Sequence, residues 1–178
     1  MEELRPEQVR RVIAFVTDEW VDEREDDEVT ARALDALFGA LESPLELHFC
    51  AIGFNWDTSV DELRRLVDHP LCDRGTALAI FWLGQPAHHY AGPLSRMAED
   101  ELAVRRLLEA IERRYDGRGY ASEEIRFDPA HAGGEDLTIS ARELVSPDRP
   151  VPLSLFEPSP GTVPEIPPGL EQLLPRLG

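Results

Sequence analysis

A mainly helical array with an irregular, proline-rich C-terminal segment is the fold class that this 178-residue sequence predicts. Three observations carry that expectation. Apolar residues recur at helical spacing through most of residues 6–116. Residues suited to capping sit in the short connections between those patterns. From Ser146 onward, Pro and Gly are frequent enough to forbid a regular helix. About six helices are therefore expected, with residues 75–83 at the centre and at most a few short strands near the end. The expected division is a helical domain over residues 1–145 and a Pro-rich wrap or tail over 146–178.

The first helix is expected over residues 6–21. Val9, Val12, Ile13, Val16 and Trp20 share one face, and Pro6 suits a first turn because its missing N–H would be unpaired there anyway. The acidic run from Asp22 to Glu28 reads as a solvated turn or as a docking patch for a basic partner. Its last carboxylates favour the start of the next helix. That second helix carries Val29, Ala33, Leu34, Leu37, Phe38 and Leu41. Ser43 and Pro44 then open a third, with Leu45, His48, Phe49 and Ile52 on one face. After "NWDTS", Asp57, Thr58 or Ser59 can cap a fourth helix that holds Val60, Leu63, Leu66 and Val67. Pro70 ends it, since the residue before a proline avoids helical angles.

The stretch "HPLCDRGTALAIFW", residues 69–82, is the most distinctive in the chain. Asp73 can accept from free N–H groups at a helix start, Gly75 permits a tight entry, and Thr76 is a second capping candidate. Residues 77–83 are apolar on every side, and such a helix belongs inside a domain with neighbours all around it. Leu102, Val104, Leu107, Leu108, Ile111 and Tyr115 mark a long, Arg-rich helix ending near "DGRG". Beyond it, "EEIRFDP" and "EDLTISA" could each form a short strand. In the tail, Leu153, Leu155 and Phe156 are expected to bury, and a short helix is expected near 170–174.

Composition narrows the function. Net charge is −17, and all 18 basic residues are Arg. An acidic chain is a poor ligand for nucleic acid, whose binding needs cations against phosphates. The charge suits a basic protein partner, or simple solubility. The all-Arg, Ala- and Leu-rich usage fits a high-GC bacterial source. Two cysteines are too few for a disulfide framework, no apolar run reaches membrane-spanning length, and "MEELRPEQVRR" lacks the order of a signal peptide. A cytoplasmic location is expected.

Several constellations could carry chemistry. His48, Cys50, His69 and Cys72 are residue types that bind zinc, and His88–His89 could add ligands. The spacing matches no common finger, and positions 48 and 50 face different ways on a helix. Cys72 could act as a nucleophile with His48 or His69 as base, but Asp73 beside it opposes a thiolate. No Gly-rich phosphate loop, G-x-S-x-G or H-E-x-x-H occurs. Neither a metal nor a cofactor is expected, and no catalytic residue is assigned. Asn55, Trp56 and Asp57 read as a turn fixing the angle between two helices. The sharper alternative is a ligand pocket made by His48, Asn55, Trp56, Asp57, Cys72 and Asp73.

"ELHFCAIGFNWD" followed by "LVDHPLCDRGTALAIFW" resembles a family of small bacterial proteins of unknown function. The matching positions are Leu47, His48, Asn55, Trp56, Asp57, Cys72, Asp73, Gly75, Thr76, Ala77, Leu78, Phe81 and Trp82. The resemblance implies no activity and no catalytic residues; an accessory or immunity-like role is a loose association of such proteins. "SPLELHFCA" and "DRGTALAIF" also echo the turn-then-helix pattern of ankyrin repeats, but no third copy appears. The expected function is a non-catalytic protein-binding module with an acidic surface. A small enzyme or ligand-binding protein is the alternative.

Overall fold

The computed structural model describes residues 3–19, 27–56, 59–91, 93–117, 119–139 and 150–174. Among them are seven α-helices: α1 (Pro6–Val16), α2 (Asp27–Gly39), α3 (Pro44–Ile52), α4 (Asp61–Asp68), α5 (Arg74–Leu83), α6 (Pro86–Tyr90) and α7 (Glu99–Asp116). Two short 3-10 turns accompany them, at Leu94–Arg96 and Leu153–Leu155. The fold is a helical array, as expected. Trp20, most of the acidic run, Asp57, Thr58 and the expected boundary at 145–146 lie outside the described residues.

α5 is the centre. Every residue from Gly75 to Trp82 is buried, and α3, α4 and α7 pack against it. This follows from the sequence: a helix apolar on all sides has no face to give to water. α7 covers it with Leu107, Leu108, Ile111 and Tyr115, all buried, and buries Arg105 and Glu112 as well. The two ankyrin-like segments become α3 and α5, and they pack directly on one another.

α3 departs from the expected one-sided burial. All eight residues from Leu45 to Ile52 are buried, because α1 covers the side that α5 does not. This encloses Glu46, whose side chain is 0% exposed. Its carboxylate is satisfied by Arg11 Nε at 2.6 Å and by the backbone N–H of Glu42 at 3.0 Å. A buried carboxylate is costly unless it is paired in this way. Ser43 caps the same helix, its hydroxyl accepting from Glu46 N at 3.2 Å. In the next connection, Ser59 accepts from Asp61 N at 3.1 Å at the entry to α4.

Other differences have local causes. α1 stops at Val16 rather than continuing to 21, because the chain turns through a left-handed Asp18 with φ 54°. The extra helix, α6, starts on Gln85-Pro86, with the proline in its first turn. Among the described residues, neither expected strand forms. Ile125 makes one isolated parallel bridge with Thr162. The facing segment carries Pro158, Pro160 and Pro164, which have no N–H for a ladder. Instead the chain becomes helical at Thr138 and Ile139, where Asp136 Oδ1 accepts from Thr138 N at 2.9 Å.

The Pro-rich segment lies over the ends of α5 and α7. Trp82 Nε1 donates to the Leu155 carbonyl at 2.7 Å, and the Phe156 ring stands edge-on to Trp82 at 5.1 Å. Thr162 N donates to Glu124 O, and Arg126 N donates to Thr162 O, each at 2.9 Å. This close approach requires Gly161, with φ 101°, where a Cβ would meet Glu124 O at 2.2 Å. Leu155 is fully buried, as expected, but Leu153 is 80% exposed. The two are two residues apart in a 3-10 turn, so they fall on different faces of it. Residues 170–174 make a single turn of helical type, with Leu174 N donating to Leu170 O at 3.0 Å.

Candidate functional site

The distinctive residues divide between the two ends of α5, which are about 15 Å apart for a helix of this length. At its start lies a buried polar cluster. Asp73 is fully buried and caps α5, its Oδ1 accepting from Gly75 N at 2.7 Å. Its Oδ2 accepts from Ser122 Oγ at 2.6 Å and from Glu124 N at 2.8 Å. The carboxylate thus ties the segment after α7 to the entry of the central helix. Burial raises its pKa, and the hydrogen bonds offset only part of that rise.

Gly75 is the other half of that junction. A Cβ there would meet the Ile125 carbonyl oxygen at 2.0 Å and Ser159 Oγ at 2.8 Å. Ser159 is itself buried, accepts from Phe127 N at 2.7 Å and donates to Ile125 O at 3.0 Å. One turn into the helix, Thr76 Oγ1 lies 3.0 Å from His48 Nδ1, both buried. Burial lowers the pKa of His48 to about 4, so the ring is neutral near pH 7. Cys72 is fully buried, with Sγ 3.7 Å from the Asp73 carbonyl. Burial pushes its thiol up to about 12, against the weaker pull of Arg114. Cys50 is buried too, and its thiol is raised for the same first reason. Thiols this protonated are weak nucleophiles at neutral pH.

At the other end of α5, Asn55 is exposed and Trp56 is half-buried. The Trp56 ring stands edge-on to Phe54, with centroids 6.1 Å apart. It lies so close to Gly84 that a Cβ there would be 3.0 Å from the indole. Beside it opens a cleft of about 400 Å³. Its polar lining comes from Gln85, His88, His89, Asp100 and Glu101, and Trp56 forms one wall. Val60, Leu83 and Val104 supply apolar surface. Gln85 sits at φ 50°, an unusual conformation for a non-glycine residue. His88 Nε2 is 3.8 Å from Glu101 Oε1. His89 Nδ1 is buried with no hydrogen-bond partner, and burial, followed by the neighbouring His88, lowers its pKa.

The structure therefore brings His48, Cys72 and Asp73 together near the start of α5, inside the core. Trp56 stands with a different set of residues, at the helix's far end. Asp57 lies outside the described residues. Sequence reasoning missed Gln85, Asp100 and Glu101 as cleft residues, and it raised His88–His89 only as possible added zinc ligands. The available signal was Gln85-Pro86, a helix-start pair directly after an apolar helix. His48, Cys50, His69 and Cys72 do not converge, and no group of three or more His, Cys, Asp or Glu among the described residues could hold a metal.

Fold and site together define a small all-helical domain, built on one enclosed helix and the carboxylate that caps it. Residues 42–116, from just before α3 to the end of α7, match the model of a family described as a domain of unknown function, DUF4274. That segment is similar to this family, which brings no established activity. No curated protein and no solved structure matches the chain.

Proposed function

We propose that this chain is a non-catalytic, cytoplasmic bacterial protein-binding module, accessory or immunity-like in role, that engages a basic partner through its acidic surface. One observation carries the reading: the distinctive residues at the start of α5 are occupied in holding the fold. Asp73 accepts three hydrogen bonds, His48 is bonded to Thr76, and Cys72 is a buried, protonated thiol. What remains for an outside molecule is a surface of strong negative charge, with a net of −17. Glu28 and Glu99 are 81% and 83% exposed at the side chain. Such a field speeds encounter with a basic partner and makes association sensitive to salt. Among the described residues, no helix is long and apolar enough to cross a membrane.

Affinity capture from the source organism tests this at about 50 mM and about 500 mM salt, spanning strong to weak screening. A basic protein retained at low salt and released at high salt is the expected result. Capture of no protein at low salt, or of one whose retention ignores salt, overturns the reading. A second reading, a small enzyme or ligand-binding protein, draws on one observation: Trp56, of the Asn-Trp-Asp turn, lines a cleft with two histidines and two carboxylates.

A further inference from the structure

Four times among the described residues an arginine lies over an aromatic ring. Arg65 covers Phe38, Arg74 covers Tyr115, Arg105 covers Tyr90 and Arg114 covers Tyr120, with guanidinium carbons 4.1 to 5.5 Å from the ring centroids. In each of them a carboxylate completes the arrangement: Asp35 at 2.7 Å, Glu123 at 2.8 Å, Glu109 at 3.1 Å and Asp68 at 3.9 Å. The physics is general. A guanidinium is weakly hydrated and planar, so it stacks on a ring while its edge donates to a carboxylate.

The cleft at the end of α5 has the same parts without the cation. Trp56 presents the best ring for a cation. Asp100 and Glu101 stand in the first turn of α7, and no arginine is among the residues lining the cleft. Glu101 Oε2 accepts from Ala98 N at 2.9 Å, while its Oε1 faces His88. His89 belongs to the same lining. The volume, about 400 Å³, is ample for one side chain.

We propose that this cleft is the pocket for an arginine side chain of the protein partner, stacked on Trp56 and held by Asp100 and Glu101. The proposal rests on the reading of the chain as a binder of basic proteins, and it locates the contact. Charge complementarity selects the occupant: the walls carry carboxylates and an aromatic face, and an anionic or purely apolar ligand would leave those carboxylates desolvated and unpaired.

The test is a titration with N-acetyl-arginine amide, followed by NMR at the tryptophan indole N–H signals, against the uncharged citrulline amide at matched ionic strength. The expected result is a shift of the Trp56 signal at about 1–10 mM arginine amide, the range of a single-side-chain ligand. Citrulline should leave it in place. The Trp82 indole, bonded to Leu155, should stay put and report an intact fold. In an Asp100→Asn/Glu101→Gln double variant the arginine affinity should fall about tenfold or more. Glutamine at 101 keeps the acceptor for Ala98 N, so the start of α7 survives. An unmoved Trp56 signal, an equal response to citrulline, or full affinity in the double variant overturns the proposal. Repeating the low-salt capture with the double variant separates the two readings. A basic partner captured equally by both proteins removes the cleft and leaves the acidic-surface reading standing. If the unaltered protein captures none, that reading falls, and the titration still decides whether the cleft binds arginine.

Discussion

His48 is polar by type and core by position. It is buried beside Thr76, and burial holds its pKa at about 4 against an ordinary 6.5. The unfolded chain takes up a proton near pH 6.5 that the folded chain refuses until about pH 4. Stability from this residue is therefore complete above the ordinary histidine pKa and is lost as pH falls toward the depressed one. A shift of this size corresponds to about 3 kcal/mol across the window. Urea melts at about pH 7 and about pH 5 should differ by about 2 kcal/mol from this group, and a His48→Gln protein should show a flatter slope. An unchanged slope in the variant would show that other groups carry the acid sensitivity. Gly75 supplies a second residue-scale case. Its Cβ position is taken by a backbone oxygen, which cannot rotate away as a side chain can. Gly75→Ala should cost about 1–3 kcal/mol or more, read as a lower urea midpoint with an unchanged slope. A neutral result would mean that the 122–125 segment is free to move off α5.

Elements in this fold are legible in proportion to how far their own side chains decide their surroundings. α5 is apolar all round, so its central place follows from residues 77–83 alone, and the structure encloses it. Leu78 is fully buried there, and Leu78→Ala should lower stability by about 2–5 kcal/mol in chemical denaturation. Equal stability would place the helix outside the core. α3 was harder to read. Glu46 looks like a surface residue and a capping partner, yet Arg11, 35 positions earlier, makes its burial tolerable. No local pattern announces a neutralising partner on another helix. The first expected strand, at 123–129, failed for a related reason. Its β-like composition is real, but a strand needs a partner with free N–H groups, and the chain brought alongside Ile125 is rich in proline.

For the whole molecule, the dominant quantity is charge. A net of −17 on a chain of this size opposes compaction through self-repulsion, and added salt screens it. The melting temperature should therefore rise between about 20 mM and about 300 mM NaCl, as ion screening shortens the reach of the field. A fall over that range would mean that arginine–carboxylate pairs such as Arg11–Glu46 outweigh the general repulsion. The same charge is the reason to look for a basic partner, and the cleft beside Trp56 gives that search a location.

Some of this was determined by the sequence alone. Helical periodicity, Ser43 and Asp73 as caps, and the enclosed helix of residues 74–83 are local or nearly local properties, and each survived folding. The helical class and the family signature belong to the same kind. Which polar residues share a space was decided only by tertiary structure. His48, Trp56, Cys72 and Asp73 are near one another in sequence, but the length of α5 separates Trp56 from the others. Conversely, Trp56, Gln85, His88, Asp100 and Glu101 come from three separate stretches and meet in one cleft because α7 folds back along α5. Spacing along a chain reports which face of one helix a residue occupies. It carries no measure of where that helix ends relative to the next, and that relation places the candidate site.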